Sequence, residues 1–522
     1  KSMRRALMWI AAVAGVVVWV GPAEAEWPQW RGPQRNGVCP GKCALPAPLD
    51  GKELRTVWES EKVLSDKDGG FGSPVVADGR VYQYCSWRTY HPIEHRTLDK
   101  GGALRAGIVP DELPSELLDK IEAARLSEER KSVDRKEVRN WARKWVGDNL
   151  SDEAMKPFRR FAEDRLRRGE SALDLAVLDK VCEIVGHRFE TEDDLDAWFK
   201  EHAIGAAARK EIEKHIPTRY STIEDITFCF DAGNGETIWK QAYPSGAGGW
   251  GASSTPCVAG ERVYVAGGKG NVYCFNAATG EEIWKTSVGG GGINSSCVVA
   301  DGKVVVQAGR LVALNAATGE KAWEQGEAKG RDASPVLWKQ GDKVFILGGS
   351  KPLCCVDPAD GSVVWKTDAV GHSTPAVNGD LMAVQHGKGL RVYRISNNGA
   401  EKLHDIDQGG SRGGSALCAN GRAYITGGRE ALCLDTAGGQ VVWKVKGIRE
   451  KFSSPVWMGG RLVCLGEKNQ LCVLDPESGA KLGKWRIDFL RCTSPAVAGG
   501  RLFVRTRRGV SCLELADAAA AQ

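Results

Sequence analysis

An all-β chain folded as an eight-bladed β-propeller, with a helical insertion in its first blade, is the fold class this sequence predicts. Three observations carry the prediction: a repeat that steps by 40 residues from Pro335 onward, a tryptophan recurring at the end of the repeat, and 64 glycines with 18 tryptophans among 522 residues. A chain this long exceeds one ordinary core, so it must be several domains or an array that grows sideways by repetition. Many short strands joined by tight turns account for the glycine surplus, since hydrophobic residues, at 42%, are ordinary. The net charge of +5 is diluted over the whole chain. Neither nucleic acid nor an anionic membrane surface is therefore expected as a partner.

The chain opens with Met3-Arg4-Arg5, an apolar run from Ala6 to Val20, and Ala23-Glu24-Ala25. Basic residues, apolar run and A-x-A triplet in that order form a secretory signal, with cleavage expected before Glu26. The run falls short of the roughly 20 apolar residues that span a bilayer. No cysteine sits at the cleavage point, the nearest being Cys39, which argues against a lipid anchor. The mature chain is expected in the periplasm or outside the cell, with no membrane span.

Sixteen cysteines in an exported chain raise the prospect of disulfides. Cys229, Cys274, Cys355, Cys433 and Cys512 instead share one repeat position, two residues before an Asn, Asp or Glu, and Ala313 fills that position in another repeat. These thiols are expected to be small buried packing groups. Two pairs are candidates for bonding: Cys39 with Cys43 in the loop CPGKC, and Cys464 with Cys472 across a hairpin.

Repeat starts align at Ser73-Pro74, Thr255-Pro256, Ser295-Ser296, Ser334-Pro335, Thr374-Pro375, Gly414-Ser415, Ser454-Pro455 and Ser494-Pro495. Each leads into an alternating apolar run, a turn such as Asp78-Gly79 or Asn420-Gly421, and a second run such as Arg262-Val263-Tyr264-Val265. That pattern is a β-hairpin. A third strand and a fourth follow, and four short antiparallel strands per period make a propeller blade. The fourth ends in Trp239, Trp284, Trp323, Trp365 or Trp443, each four residues after a turn glycine. A flat ring at that place is expected to wedge between neighbouring blades. Leu403 takes the slot after Asn398-Gly399, and Trp485 comes two residues late after Ser478-Gly479. The last repeat runs out after Cys512 and Leu513, while Leu54-Arg55-Thr56-Val57-Trp58 precedes the first with an unassigned tryptophan. Pairing these ends completes the eighth blade and closes the ring, removing its exposed edges.

Between Trp87 and Ile226 the glycine pattern gives way to Glu, Lys, Arg, Leu and Ala. Ser115 to Arg125, Lys136 to Trp145 and Asp152 to Arg168 place apolar residues at helical spacing. Trp141, Trp145, Phe158 and Phe161 are expected as part of that insertion's own core. The expected organisation is a signal peptide over 1–25, an amino-terminal extension over 26–53, the ring-closing strand and start of the first blade over 54–87, the helical insertion over 88–225, the remaining blades over 226–515, and a disordered tail over 516–522.

The turn-to-tryptophan motif, roughly A-x-x-G-x-x-x-W, resembles the repeat of the pyrroloquinoline-quinone-type propellers. That family includes quinoprotein alcohol dehydrogenases and the outer-membrane assembly lipoprotein of the β-barrel machinery. Trp27-Pro28-Gln29-Trp30-Arg31-Gly32-Pro33, followed by Asn36-Gly37, resembles the start of many exported members. The resemblance covers the mature chain outside the insertion and speaks to fold, because the tryptophans are structural in catalytic and non-catalytic members alike.

For a quinoprotein dehydrogenase the resemblance implies a quinone over the channel, a calcium or lanthanide ion held by Glu and Asn, and an Asp as base. Those ligands would come from residues leading into the innermost strands. Asn294, Asp332 and Glu450 offer oxygen ligands there, whereas Arg331, His372, Arg412, Lys451 and Arg491 are cationic or imidazole. A hard cation is poorly served by that mixture. The expectation is a non-catalytic scaffold with no cofactor, binding a protein or a small anionic ligand at a mouth formed by Trp250, Asn294, Arg331, Asp332, His372, Arg412, Lys451 and Arg491. The alternative is a dehydrogenase using pyrroloquinoline quinone with calcium to oxidise an alcohol or sugar. Cys354-Cys355 lies inside a third strand, where neighbours point to opposite faces, and is expected to be structural. No C-x-x-C-H occurs, so attached c-type haem is not expected. His91, Glu94 and His95 lack a third ligand group at a telling spacing, and no G-x-S-x-G nucleophile elbow is expected.

Overall fold

Apolar alternation bounded by Asp-Gly, Asn-Gly and Gly-Gly turns becomes, in the computed structural model, eight four-stranded antiparallel sheets. The structure describes residues 26–517 apart from 42, 44, 47–48, 247–252, 290–292, 369–370, 412, 427–429, 449–451 and 467. The expected signal 1–25, and Trp250, Arg412, Glu450 and Lys451, lie outside the described residues. The chain divides into two compact units, one made of the residues up to Thr89 with those from Thr222 onward, the other of Tyr90–Ser221.

In the first sheet Val75–Ala77, Arg80–Pro92, Arg219–Asp231 and Thr237–Ser245 lie in that order. Its middle strands extend beyond the expected limits of the insertion at 88 and 225, because the pairing Ile223↔Ser245 already belongs to the sheet. Six sheets follow in chain order, from Cys257–Ala259 to Lys481–Arg486. The eighth joins Ala496–Ala498, Arg501–Arg505 and Val510–Asp517 to Lys52–Glu59, with Trp58 opposite Cys512. The last strand therefore runs through Ala516 and Asp517, into the segment expected as tail. Inner strands are covered on both faces and read as continuous apolar runs. Fourth strands such as Glu282–Ser287 bury one position, here Trp284, and expose its neighbours.

Each fourth-strand tryptophan reaches the next sheet. The indole N–H groups of Trp58, Trp239, Trp284, Trp323 and Trp443 donate to the carbonyls of Ala232, Ala277, Ala316, Pro358 and Pro476 at 2.9–3.1 Å. Gly235, Gly280, Gly319, Gly361 and Gly479 lie under those same rings, where a Cβ would collide with them. Trp485, the late one, donates to Lys52 O at 3.0 Å. In the sheet lacking a tryptophan the slot belongs to His404, not Leu403: its Nε2 lies 3.0 Å from Thr436 O and its ring covers Gly439. The reason is a shorter turn, Ser396 pairing with Gly399 across two residues, which moves the slot one place along the strand.

Cys229, Cys274, Cys355, Cys433 and Cys512 each pair across the ladder with the tryptophan of their sheet, as Ala313 does with Trp323. A small side chain is needed beside so large a ring. All five are buried free thiols, and burial pushes them up, Cys229 and Cys355 to about 12 and Cys274 to about 11. Cys354 and Cys355 are both unbonded and belong to separate core clusters on opposite faces of their strand. Cys39 and Cys43 are disulfide-bonded. Cys464 and Cys472 face each other but remain free thiols, so that candidate bond is not made.

The second unit is helical. Ser115–Leu126, Val138–Asn149 and Arg159–Arg168 enclose Ile121, Ala142, Val146, Phe158, Ala162 and Leu166. Phe158 is buried in that core, while Trp141, Trp145 and Phe161 are packed at its margin. Glu122 bridges Arg125 and Arg165, and all three are largely buried. No helix among the described residues is long and apolar enough to cross a membrane.

Candidate functional site: an axial cavity

The innermost strand of each sheet has a strand neighbour on one side alone, so its free side carries backbone groups that need partners. The N–H groups are satisfied by a circuit of hydroxyls. Ser73 N donates to Thr255 Oγ1, Thr255 to Ser296, Ser296 to Ser334, Ser334 to Thr374, Thr374 to Ser415, Ser415 to Ser454, Ser454 to Ser494, and Ser494 back to Ser73, each at 2.9–3.1 Å. The circuit visits all eight sheets and returns to its start. Two repeats are shifted by one residue from the sequence alignment, since Ser296 and Ser415 occupy the ring where Ser295 and Gly414 were aligned. Ser295 Oγ instead donates to Gln307 O at 3.1 Å.

On one side of this ring runs the segment from Trp27 to Cys39. It pairs with Val76, Val258 and Trp457, all three residues beyond a ring hydroxyl along their strands. Two buried arginines pin it. Arg35 donates to Ser296 O at 3.2 Å, to Pro335 O at 2.7 Å and to Cys297 O, with Gln29 accepting from Nε at 2.8 Å. Arg31 donates to Ala416 O and to Asn36 O at 3.1 Å. Neither has a carboxylate partner among the described residues, and burial, with Arg35 beside it, pulls Arg31 down to about 9; burial lowers Arg35 too. The motif that resembled a family start is therefore a plug.

A cavity of about 410 Å³ lies on the ring hydroxyls. Above them it is lined by the residues two places earlier in each repeat: Phe71, Ser253, Asn294, Asp332, His372, Gly413, Phe452 and Cys492. In sheet order these fall into two arcs. Ser253, Asn294, Asp332 and His372 form a polar arc, in which Asn294 Nδ2 donates to Asp332 Oδ1 at 3.0 Å and Asp332 Oδ2 lies 2.6 Å from His372 Nδ1. Gly413, Phe452, Cys492 and Phe71 form an apolar arc. The Phe452 ring lies over Gly413, where a Cβ would overlap it, and Phe452 and Cys492 hold φ of 71° and 70°. Non-glycine residues in that region are strained, and a bulky one is an outlier worth a functional reading. Trp30, from the plug, also lines the cavity.

Of the residues expected at the mouth, Asn294, Asp332 and His372 line the cavity. Arg331 and Arg491 do not, and Arg491 pairs with Asp66 at 3.3 Å. They stand one residue before the lining tier, outside the strands: Arg331 and Asp332 lie in a bend, and Arg491 and Cys492 in a turn that Cys492 takes at φ 70°. Phe71, Phe452, Cys492, Trp30 and the hydroxyl ring were missed by a search for charge. Their signal was present as a fixed offset from the repeat start. The letters Gly409-Gly410-Ser411-Arg412-Gly413 fit G-x-S-x-G, but Ser411 is buried and Gly414 N donates to its Oγ, with no helix following. His91 is stacked on Tyr220 at 4.8 Å. Among the described residues His386, Asp405 and Asp407 gather as possible metal ligands, with Arg391 and Lys402 already on Asp405 at 2.9 and 3.4 Å. Within the axial cavity Asp332 is the single described carboxylate, and no described lysine or arginine lines it.

A family profile described as outer membrane protein assembly factor BamB matches residues 224–337, 308–429, 401–488 and 430–520. No curated protein matches the chain. Among solved structures, BamB from Moraxella catarrhalis is similar at 15% identity and a TM-score of 0.46, covering 57% of this chain and 90% of that one. Quinohemoprotein alcohol dehydrogenase ADHIIG from Pseudomonas putida HK5 gives 13% identity and a TM-score of 0.44, covering 58% and 74%. The computationally designed Ika8 protein gives 12% identity and a TM-score of 0.44, covering 56% and 93%. The matched segments run from residue 224 to 520, more than half of the chain, and the chain belongs to the pyrroloquinoline-quinone-type repeat family of BamB-like propeller proteins.

Proposed function

We propose that the chain is a closed eight-bladed propeller, exported through its amino-terminal signal, that binds a ligand in the axial cavity and performs no chemistry on it. The observation that carries this reading is the two-sided lining of a cavity plugged at one end. A polar arc around Asp332 and His372 faces an apolar arc around Phe71 and Phe452. The eight sheets, the returning hydroxyl circuit and the pairing of Lys52–Glu59 with Val510–Asp517 support the closed ring. The ligand that fits is a peptide end or small molecule with a hydrogen-bond donor on one edge and a flat apolar surface on the other. Asp332 favours such a donor over the anion expected from sequence.

The dehydrogenase reading is less well supported. A calcium-bound quinone needs several oxygen ligands for the ion and cationic partners for its own carboxylates. The described lining offers one carboxylate, already engaged by Asn294 and His372, and no guanidinium. That donor set does not fit the group. The family's description as an outer membrane protein assembly factor supports a protein-binding role.

Two measurements on the mature chain test this reading. Calorimetric titration with tripeptides differing in their terminal residue should find binders that Asp332→Ala and Phe452→Ala both weaken by about tenfold. Addition of pyrroloquinoline quinone and calcium, followed over alcohols and sugars by dye reduction, should give no turnover. Sustained turnover would overturn the non-catalytic reading, and affinities indifferent to both substitutions would overturn the site.

A further inference from the structure

The helical unit holds a cavity of its own, of about 530 Å³, beside the helices Lys100–Ala106 and Arg159–Arg168. Arg105, Arg160, Arg165 and Arg168 line it against one carboxylate, Asp164. In the helix sequence RRFAEDRLRR, Arg160, Asp164 and Arg168 stand four residues apart along one row, and Phe161 and Arg165 along the adjacent one. Asp164 is taken by Arg167 at 3.2 Å.

The four arginines are not equivalent. Arg165 is buried, with Glu122 accepting from its Nε and Leu173 O from its Nη2 at 3.1 Å. Arg168 is held by Glu211 at 2.9 Å and by Arg105 O at 3.0 Å. These two are fixed parts of the wall. Arg105 and Arg160 make no side-chain hydrogen bond or ion pair among the described residues, and both are exposed at the cavity. A fifth group, His215, lines the wall, with its Nε2 3.7 Å from Glu211 Oε1. Burial holds its imidazole below the usual range, with Arg168 and Arg105 pushing the same way against Glu211. The rest of the lining includes Leu104, Ile108, Pro110, Pro157 and Phe161, and Leu104 is 66% exposed.

Two free guanidiniums in a cationic pocket repel each other until an anion joins them, and their planar forks match a carboxylate or phosphate. The apolar lining cannot be satisfied by a bare ion. We propose that this cavity binds a small amphipathic anion, its carboxylate or phosphate monoester head between Arg105 and Arg160 and its apolar body against Leu104, Ile108 and Phe161. The site lies wholly within Tyr90–Ser221, so it stands or falls independently of the axial cavity.

Calorimetry on the full mature chain tests this with octanoate and octyl phosphate below their micellar concentrations, and with inorganic phosphate and octanol as controls. Both octyl anions should bind, or one of them if the pocket separates the two heads, and each control should bind at least about tenfold more weakly. Arg105→Gln with Arg160→Gln should weaken the octyl anions by about tenfold or more while leaving the far-ultraviolet circular dichroism unchanged, since neither side chain has a structural partner. Leu104→Ser should weaken the octyl anions and not inorganic phosphate. Unchanged affinity in the double variant, absence of binding by both octyl anions, or inorganic phosphate binding as well as they do would each overturn the proposal.

Discussion

Trp323 and Trp365 offer a matched pair in which one hydrogen bond is present and the other missing. Both rings are nearly buried, at 8% and 7% exposed, and both pair with a small residue, Ala313 and Cys355. Trp323 donates to Pro358 O at 2.9 Å, whereas the Trp365 indole N–H is buried without a partner. The carbonyl that should receive it belongs to the turn shortened at Ser396–Gly399. Replacing either tryptophan by phenylalanine removes the same atoms, so the lost packing cancels between the two. Trp323→Phe additionally leaves a buried carbonyl unpaired, at about 1–3 kcal/mol, while Trp365→Phe removes a buried donor that never had an acceptor. Trp323→Phe should therefore be more destabilising than Trp365→Phe by about 2 kcal/mol. Urea unfolding measures it, provided both variants keep the m value of the parent, so that a shifted midpoint reports stability alone. Equal losses in the two variants would refute the claim that the indole hydrogen bond fastens one sheet to the next.

The remaining expectations follow from the same contacts. Gly280→Ala places a Cβ 2.5 Å from the Trp239 ring at φ +74°, whereas Gly302→Ala, at φ +65°, meets nothing within 4 Å. Both lose about 1–2 kcal/mol to left-handed backbone, so thermal unfolding should fall further for Gly280→Ala, and equal shifts would argue against the ring contact. Arg35→Met leaves the carbonyls of Ser296, Cys297 and Pro335 without their donor, and limited proteolysis should then cut within residues 26–39 faster than in the parent. Burial alone would raise the Glu122 carboxyl, but hydrogen bonds from Arg165 and Arg125 hold it below its ordinary 4.5. A depressed carboxylate stabilises the fold above its unfolded value, and that contribution is lost as the pH falls from 4.5 through the folded value. Glu122→Gln should flatten that part of the acid-unfolding profile of the helical unit, and an unchanged slope would count against the buried triad.

What was legible in the sequence was what local chemistry decides. The turns before the fourth strands that carry Trp239, Trp284 and Trp323 are Asx turns, as where Asn276 Oδ1 accepts from Ala278 N and Thr279 N, and the glycine and tryptophan follow at fixed places. Such a motif needs nothing beyond nine residues to be recognised. The failures came where contacts between sheets override local spacing. His404 rather than Leu403 covers the next sheet because a two-residue turn shortens the hairpin. Ser296 and Ser415 rather than their predecessors enter the hydroxyl circuit, since successive members stand 41, 38, 40, 41, 39 and 40 residues apart rather than at one constant step. Extended backbone turns each one-residue slip into a change of side. Asp332 lines the cavity while Arg331, one residue earlier in the same bend, does not.

The plug was illegible for a deeper reason, which also explains its composition. Arginines in a polar amino-terminal segment look like solvated charges, and the carbonyls that hold Arg35 and Arg31 lie 261, 300 and 385 residues away. In each of the eight sheets the innermost strand has one free edge, whose donors and acceptors need partners from outside the sheet. The hydroxyl circuit answers the donors and can do so from within the repeat, because a serine or threonine accepts from its neighbour's N–H at each step. It leaves carbonyls that need donors from outside the repeat. Guanidinium has five donors and no acceptor, so it adds no unsatisfied acceptor of its own, and its planar fork can reach carbonyls of two sheets together. Arg35 does this with Ser296 and Pro335. An apolar plug would fill the same space but leave those carbonyls bare, and a lysine would offer fewer, less directed donors. The burial that lowers both arginines is the cost of that arrangement, and it is offset by the inner edges it satisfies.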